Sequence, residues 1–375
     1  MTNDDLKKEL SRCLSCRLKP CEKACPLGVS PHDFILAAKS GDYQQAARLI
    51  AEKNPLPQTC GLVCPSIFCQ AACIRRKIDY ALQIPCLQAQ MIEKGNLPPL
   101  PLPEPNGKKA AVIGGGPAGL GAVFELIKNG FYVDLYEKES TLGGAVRLIP
   151  QSRLPKAVLD KEIARLTQND RVTVHLNTEI TDFQSVKAKY DTVILSLGEP
   201  IPRTLGIKGE EHCISYKEYL QNPTKYQAEK IAVCGGGEVA LDCALTAKAN
   251  VEMFVRRRRE DMRIDKNKHD ELDKKGVVIR ALTSITEINK TAATCTLTTI
   301  SNQITSEGKA APCPETKKSL SGYGLIIQAL GSYYPKDKIP EGFITAGDMT
   351  GTTGTVVEAL SSGIHAARKA IEELK

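Results

Sequence analysis

Hydrophobic and polar positions change their period along this 375-residue chain, and the changes mark its parts. Apolar residues recur at helical spacing through 33–39 and again through 43–53, with Ser40-Gly41 between them as a turn. The segment 97–107 reads LPPLPLPEPNG. Its prolines hold the backbone extended and remove amide donors, so it predicts a linker and excludes helix and central strand. Beyond it, short apolar strands alternate with helical stretches, the pattern of a doubly wound α/β fold. Strands are predicted at 109–113, 132–136, 231–234, 251–255 and 343–346, and helices at 120–129 and 356–373. No repeat of fixed period is present, but two similar strand–glycine-loop–helix units are.

With 42 % hydrophobic residues, the chain can bury more than one core, since domains usually hold ~100–200 residues. Residues 1–11 are polar and charged, without the apolar stretch of a signal peptide, and no run reaches the ~18 apolar residues of a membrane span. A cytoplasmic protein without membrane attachment is expected. There, clustered cysteines are metal ligands more often than disulfides. The net charge of +7 is spread along the chain and does not argue for nucleic acid.

Nine of the fourteen cysteines lie in the first ninety residues, so the candidate metal chemistry is concentrated there. One group is Cys13, Cys16, Cys21 and Cys25, followed by Pro26; the other is Cys60, Cys64, Cys69 and Cys73. The first spacing, C-x2-C-x4-C-x3-C-P, is near the bacterial ferredoxin run, whose last cysteine ligates a different cluster from the first three. Two groups separated by two short helices are therefore expected to interleave and hold two clusters. A zinc site with four thiolates is the alternative, and buried structural thiols a weaker one. Cys213, Cys243, Cys295 and Cys313 are isolated and read as structural.

The first glycine loop, Gly114-Gly115-Gly116-Pro117-Ala118-Gly119, is G-x-G-x-x-G between a strand and a helix, with Gly130 placed to cap that helix. Such glycines allow backbone to approach a pyrophosphate at a helix N-terminus. Glu137, followed by Lys138, ends the next strand ~20 residues on, where an acid accepts hydrogen bonds from a ribose. Thr141-Leu142-Gly143-Gly144 is a further loop suited to close cofactor contact.

The second loop, Gly235-Gly236-Gly237-Glu238-Val239-Ala240, is a G-x-G-x-x-A variant. Its following strand ends in Arg256-Arg257 where an acid would select a 2′-hydroxyl, so a 2′-phosphate, and hence NADPH, is favoured. A solvated or interacting basic face is the alternative for the run, with Arg258 and Arg259 its best members. Near the C-terminus, Gly347-Asp348-Met349 and the glycine/threonine loop 350–355 lead into the last helix through Thr355 and Val356. That arrangement can hold a polar cofactor chain and the anionic edge of a flavin.

Taken together, Cys13 to Cys73, GGGPAGL, IPQSRLP at 149–155, GGGEVALD and TAGDMTGTTGTVVEALSSG resemble one group of reductases over nearly the whole chain. These are the glutamate synthase small subunit and the reductase part of dihydropyrimidine dehydrogenase. The resemblance implies that NADPH or NADH reduces FAD and that two 4Fe-4S clusters carry electrons to a catalytic partner. It implies Cys13, Cys16, Cys21 and Cys73 as ligands of one cluster. Cys25, Cys64, Cys69 and Gln88 would hold the other, leaving Cys60 and Cys86 spare. Without the resemblance, Gln88 reads as a surface glutamine on a short helix. The resemblance also places Arg153 near the flavin and pairs Arg256 with Arg263 at the 2′-phosphate. The chain departs from it in a shorter Cys64–Cys69 loop and a compressed region over 250–327.

The expected organisation is a helical double-cluster domain (1–97), a linker (98–107), a split FAD domain (108–200 and 325–375) and an NADPH domain (201–324). NADPH docked on Gly235 to Ala240 would reduce the flavin, and the flavin would feed one-electron clusters. No C-x-x-C accompanies either glycine loop, which argues against a disulfide reductase. Electrons would leave for a large catalytic subunit or a ferredoxin-like acceptor. A zinc-stapled flavin diaphorase and a non-catalytic flavoprotein scaffold are the competing readings.

Overall fold

The computed structural model describes residues 1–351 and 354–375; Thr352 and Thr353 of the expected glycine/threonine loop lie outside the described residues. The chain forms two compact units. The first comprises Met1–Arg147, Gln151–Gly198 and Tyr334–Lys375, and the second Leu148–Pro150 and Glu199–Tyr333.

The first unit opens with helices that start where their caps dictate. Thr2 forms a reciprocal capping box on Asn3–Ser11, Ser30 caps Pro31–Lys39, and Asp42 caps Tyr43–Ala51. Helices Pro57–Val63 and Ile84–Gly95 complete this part, each with proline in its first turn. Their inner faces close over Leu6, Phe34, Ile35, Ile50, Leu87 and Met91, and Cys69 and Cys73 join that core. The segment 98–107 carries neither helix nor strand, as its prolines require, and its Pro98 carbonyl accepts from Arg165 Nε at 2.6 Å.

A five-stranded parallel sheet follows, in the order Ile344–Thr345, Thr192–Leu195, Lys109–Ile113, Tyr132–Tyr136, Val172–His175. The central strand joins chain segments far apart in sequence, because its neighbour Thr192–Leu195 in turn pairs with Ile344–Thr345 from the C-terminal segment. The last strand is thus only two residues, shorter than the expected 343–346. Helix Pro117–Lys128 packs against the last helix, Val356–Glu373, with backbone in contact. A Cβ on Gly363 would meet Ala118 O at 1.8 Å, and one on Gly121 would meet Leu360 O at 2.3 Å.

The second unit holds another parallel sheet, in the order Ile214–Ser215, Leu325–Gln328, Lys230–Cys234, Asn250–Phe254, Val278–Arg280. A three-stranded antiparallel sheet accompanies it, Thr283–Lys290, Cys295–Ile304 and Ala310–Tyr323. Leu325–Gln328 pairs with Lys230–Cys234, so the return to the first unit falls at Tyr334 rather than at the expected 325. The other crossing lies at Glu199 instead of 201. Among the described residues, no helix is long and apolar enough to cross a membrane.

Overpacking a close helix crossing typically costs about 1–3 kcal/mol. Gly363→Ala is therefore expected to lower the thermal unfolding midpoint and to weaken flavin retention on desalting. A variant with unchanged midpoint and flavin content would show that the crossing is not required.

Candidate flavin, nucleotide and cluster sites

The first glycine loop is built by close approaches that only glycine permits. Gly114 has φ +107°, and a Cβ there would meet Ser196 O at 2.3 Å; one on Gly119 would meet Gly114 O at 1.9 Å. Gly116 faces Gly144, whose own Cβ would stand 3.0 Å from Gly116 Cα, and Gly143 N donates to Gly115 O at 2.8 Å. Two glycine loops that are separate in sequence are thus pressed together beside the start of helix Pro117–Lys128. That helix has no side-chain cap, so its first amides point at the glycine cradle.

Glu137 is buried at the end of its strand and accepts from Gly115 N at 2.8 Å and Glu139 N at 2.9 Å. A carboxylate offers about four lone-pair sites, so both oxygens retain capacity for a ribose. Lys138 is exposed, and Arg153 is half-buried. Gly347 reaches the same place from the C-terminal segment: its Cβ would meet Ala118 Cβ at 2.7 Å, and its N–H donates to Ser362 Oγ. Asp348 follows in a short 3-10 turn, and Thr355 caps the last helix through Glu358 N, so that Val356 opens it. A glycine cradle, an acid and a second helix N-terminus in one unit fit a flavin dinucleotide.

In the second unit, Gly235 has φ +141°; a Cβ there would meet Ala329 O at 2.2 Å, and Ala240 packs beneath it. Gly237 is open, with nothing within 4 Å, and Glu238 begins an uncapped helix. Arg263 N donates to Gly236 O at 2.9 Å, which holds Arg263 beside the glycine loop. Within the arginine run the roles separate. Arg258 pairs with Asp261, and Arg259 with Asp273. Arg256, Arg257 and Arg263 are exposed and carry no ion pair among the described residues. Asn302 and Leu282, which the sequence did not single out, anchor this corner: Asn302 Nδ2 donates to Arg256 O at 3.3 Å, and Leu282 N to Arg257 O at 2.9 Å.

Cys13, Cys16, Cys21 and Cys73 line one cavity, together with Leu14, Lys19, Ile74 and Arg75. Burial first, then the nearby Cys73 and Cys13 thiols, push Cys21 up to about 11. Iron binding must displace such protons. The Cys69 thiol is raised by burial and then by Cys64, Cys25 and Cys21, so the second group adjoins the first. Cys60 is fully buried and raised by burial, and Cys86 is half-buried. Gln88 is not on the surface: it is buried on Ile84–Gly95, and its Nε2 donates to Pro57 O at 2.7 Å. Among the described residues, no three His, Cys, Asp or Glu side chains close on a single metal position. Four thiols lining one cavity fit a polynuclear cluster, in which ligands bind different irons.

Residues 108–315, more than half the chain, match the family described as pyridine nucleotide-disulphide oxidoreductase. The chain belongs to that family. Residues 1–96 match the family described as dihydropyrimidine dehydrogenase domain II, 4Fe-4S cluster. The protein is thus an oxidoreductase with an iron–sulfur-type N-terminal domain, and FAD, a pyridine nucleotide and 4Fe-4S clusters are its cofactor classes. It is 35 % identical over 254 residues to the NAD-dependent dihydropyrimidine dehydrogenase subunit PreT of Escherichia coli, covering 64 % of this chain and 61 % of that one. It is 27 % identical over 268 residues to the glutamate synthase [NADPH] small chain of Mycobacterium tuberculosis, covering 64 % and 54 %. The chain therefore spans about three-fifths of the length of the dihydropyrimidine dehydrogenase subunit it matches. Mycobacterium tuberculosis FprA in complex with NADPH shares the fold, with TM-score 0.61, 18 % identity, and coverage of 71 % and 84 %. The five cysteines outside the first ninety residues are free thiols.

One buried acid ties the iron–sulfur-type domain to the flavin-type domain of this oxidoreductase. Glu162 lies on the apolar stripe of Lys156–Thr167, between Leu159 and Leu166, where a charged residue is itself the signal. Its two oxygens accept from Gln58 N at 2.5 Å and Thr59 N at 3.0 Å, in the first turn of the helix that ends at Cys64. Burial, opposed by these amides and by Arg165, pushes its carboxyl up to about 7. The folded form therefore holds its proton more tightly than the unfolded chain. The associated stability is complete below the unfolded carboxyl pKa and is lost as pH rises through about 7. Thermal stability should fall from about pH 5 to about pH 8, by roughly 1.4 kcal/mol per pH step wherever the folded form holds one proton more than the unfolded chain. Glu162→Gln should flatten that slope; the same slope in both proteins would contradict the assignment.

Proposed function

We propose that this chain is an NADPH-dependent flavin and iron–sulfur reductase subunit of the cytoplasm that hands electrons to a separate catalytic subunit or ferredoxin-like acceptor. The observation that carries the reading is the cavity lined by Cys13, Cys16, Cys21 and Cys73 in the same compact unit as the double glycine cradle. Those four residues are assigned to one 4Fe-4S cluster, and Cys25, Cys64, Cys69 and Gln88 to the other. Gln88 already spends its amide N–H on Pro57 O, so its carbonyl oxygen is the atom offered to iron.

When bound, FAD supplies the conversion of a hydride into single electrons, and the clusters supply one-electron carriers. The chain's own residues bind and orient. Gly114, Gly116, Pro117, Ala118, Gly119 and Gly144 give the pyrophosphate an uncluttered backbone surface at a helix N-terminus. Glu137 takes the ribose hydroxyls, with exposed Lys138 beside it. Gly347, Asp348, Thr355 and Val356 place a second helix N-terminus against the same cradle, where its amides favour negative charge. Arg153 is assigned to the flavin side. Gly235, Gly237, Glu238 and Ala240 form the nicotinamide nucleotide cradle, and Arg256, Arg257 and Arg263 donate to a 2′-phosphate.

Losing a charge-assisted pair at that phosphate removes about 1.5–3 kcal/mol. Arg256→Ala combined with Arg257→Ala is therefore expected to raise KM for NADPH about tenfold or more and leave KM for NADH within about twofold. Equal changes for both nucleotides would refute the 2′-phosphate assignment. In the same preparation, Cys73→Ser should lose about four irons per chain and retain flavin bleaching by NADPH. Full iron retention would remove Cys73 from the ligand set.

A further inference from the structure

Among the described residues, nine of the fourteen exposed large apolar side chains fall within the first eighty positions, in the iron–sulfur-type domain. Five of them sit on the two segments that line the Cys13–Cys73 cavity. Leu14 and Ile74 are cavity residues themselves. Leu18, 74 % exposed, occupies the turn closed by Lys19 N donating to Cys16 O. Ile78, 65 % exposed, follows the turn after Ile74–Lys77, and Tyr80, 59 % exposed, lies beneath the Arg12 guanidinium at 3.6 Å.

The same two segments carry charge of one dominant sign. Residues 12–23 and 73–80 contain seven basic side chains and two acidic ones, Glu22 and Asp79. Asp79 is already held by Arg12 and Arg75, and Glu22 lies near Lys19 and Lys53. Arg17, Lys23, Arg76 and Lys77 carry no ion pair among the described residues. Exposed apolar side chains interspersed with uncompensated basic ones are the composition of a protein interface. Irregular cysteine loops, rather than an amphipathic helix, present it, which distinguishes it from a membrane-surface element.

We propose that this collar docks an electron-accepting protein whose contact face is apolar at its centre and acidic at its rim. The proposal rests on the reductase reading above and names the chemistry of the partner. The apolar centre excludes water and brings the acceptor against the cavity mouth, while Arg17, Lys23, Arg76 and Lys77 steer an acidic face onto it. None of the four is assigned to a cofactor.

The test uses the full holoprotein, prepared anaerobically, with an acidic Rieske-type 2Fe-2S ferredoxin as probe, whose higher potential lets NADPH drive its reduction, and a small uncharged quinone as control acceptor. Two variants are compared with the parent: Leu18→Asp with Ile78→Asp, and Arg76→Glu with Lys77→Glu. Both should keep their iron, their NADPH-driven flavin bleaching and their quinone reduction, and lose about tenfold in ferredoxin reduction. Ferredoxin reduction by the parent should also slow as salt rises, and should exceed reduction of basic cytochrome c. Unchanged ferredoxin rates in both variants would overturn the proposal, as would a preference for cytochrome c. Sedimentation with anionic vesicles that both variants abolish would assign the collar to a membrane instead. A dimer that both variants dissociate would assign it to a second copy of this chain. A parent protein without iron, or without flavin bleaching by NADPH, would defeat the reductase reading itself and the collar with it.

Discussion

Helix Val356–Glu373 lies so close to helix Pro117–Lys128 that Gly363 leaves no room for a side chain against Ala118 O. Backbone contact of this kind fixes two helix N-termini relative to each other far more tightly than side-chain packing could. Here it brings Gly347 and Asp348, from the C-terminal segment, to the glycine loop at Gly114–Gly119. The cradle is thus shared between two distant stretches of the chain, and the whole second unit is inserted between them. Neither stretch alone would offer a dinucleotide more than a glycine turn.

The same helix reaches the cysteine loops. Ser361 Oγ donates to Pro26 O at 2.8 Å, immediately after Cys25. On the other side, Glu162 binds the first amides of the helix that leads to Cys64. The first contact meets the backbone next to Cys25, and the second meets the start of the helix that ends before Cys64. An electron path needs its carriers held at fixed separation. In the proposed path, the bond from Ser361 to Pro26 O and the Gln58 and Thr59 amides donating to Glu162 would supply that fixity without using the cysteines themselves.

Much of this was legible in the sequence, because glycine loops between strand and helix and cysteines at ligand spacing are local patterns. The parallel strands at 109–113, 132–136 and 231–234 and the long last helix lie where apolar periodicity places them. Gathering Cys73 with Cys13, Cys16 and Cys21 came from family resemblance, since spacing alone does not select one partner from a distant group. Two kinds of feature escaped. The sequence opens the returning FAD segment at residue 325, and only the pairing of Leu325–Gln328 with Lys230–Cys234 assigns this strand to the second unit. Gln88 reads as a polar helix residue, and its burial depends on how close Ile84–Gly95 lies to Pro57–Val63. There a Cβ on Gly61 would stand 2.6 Å from Ala89 N. Long-range backbone proximity leaves no periodic trace, so Asn302 becomes visible only in the fold, and Glu162, a charge on an apolar stripe, finds its partners only there.

In the proposed reading, one compact unit holds both a flavin and two clusters. This reading is tested most directly by anaerobic purification followed by iron, sulfide and zinc analysis, with visible spectra before and after NADPH. Brown protein with about eight irons and eight sulfides per chain is expected. NADPH should bleach the flavin band together with the broad cluster absorption. Yellow protein containing zinc and no iron would contradict the reading, and would leave the cysteine domain as a structural staple on a flavin enzyme.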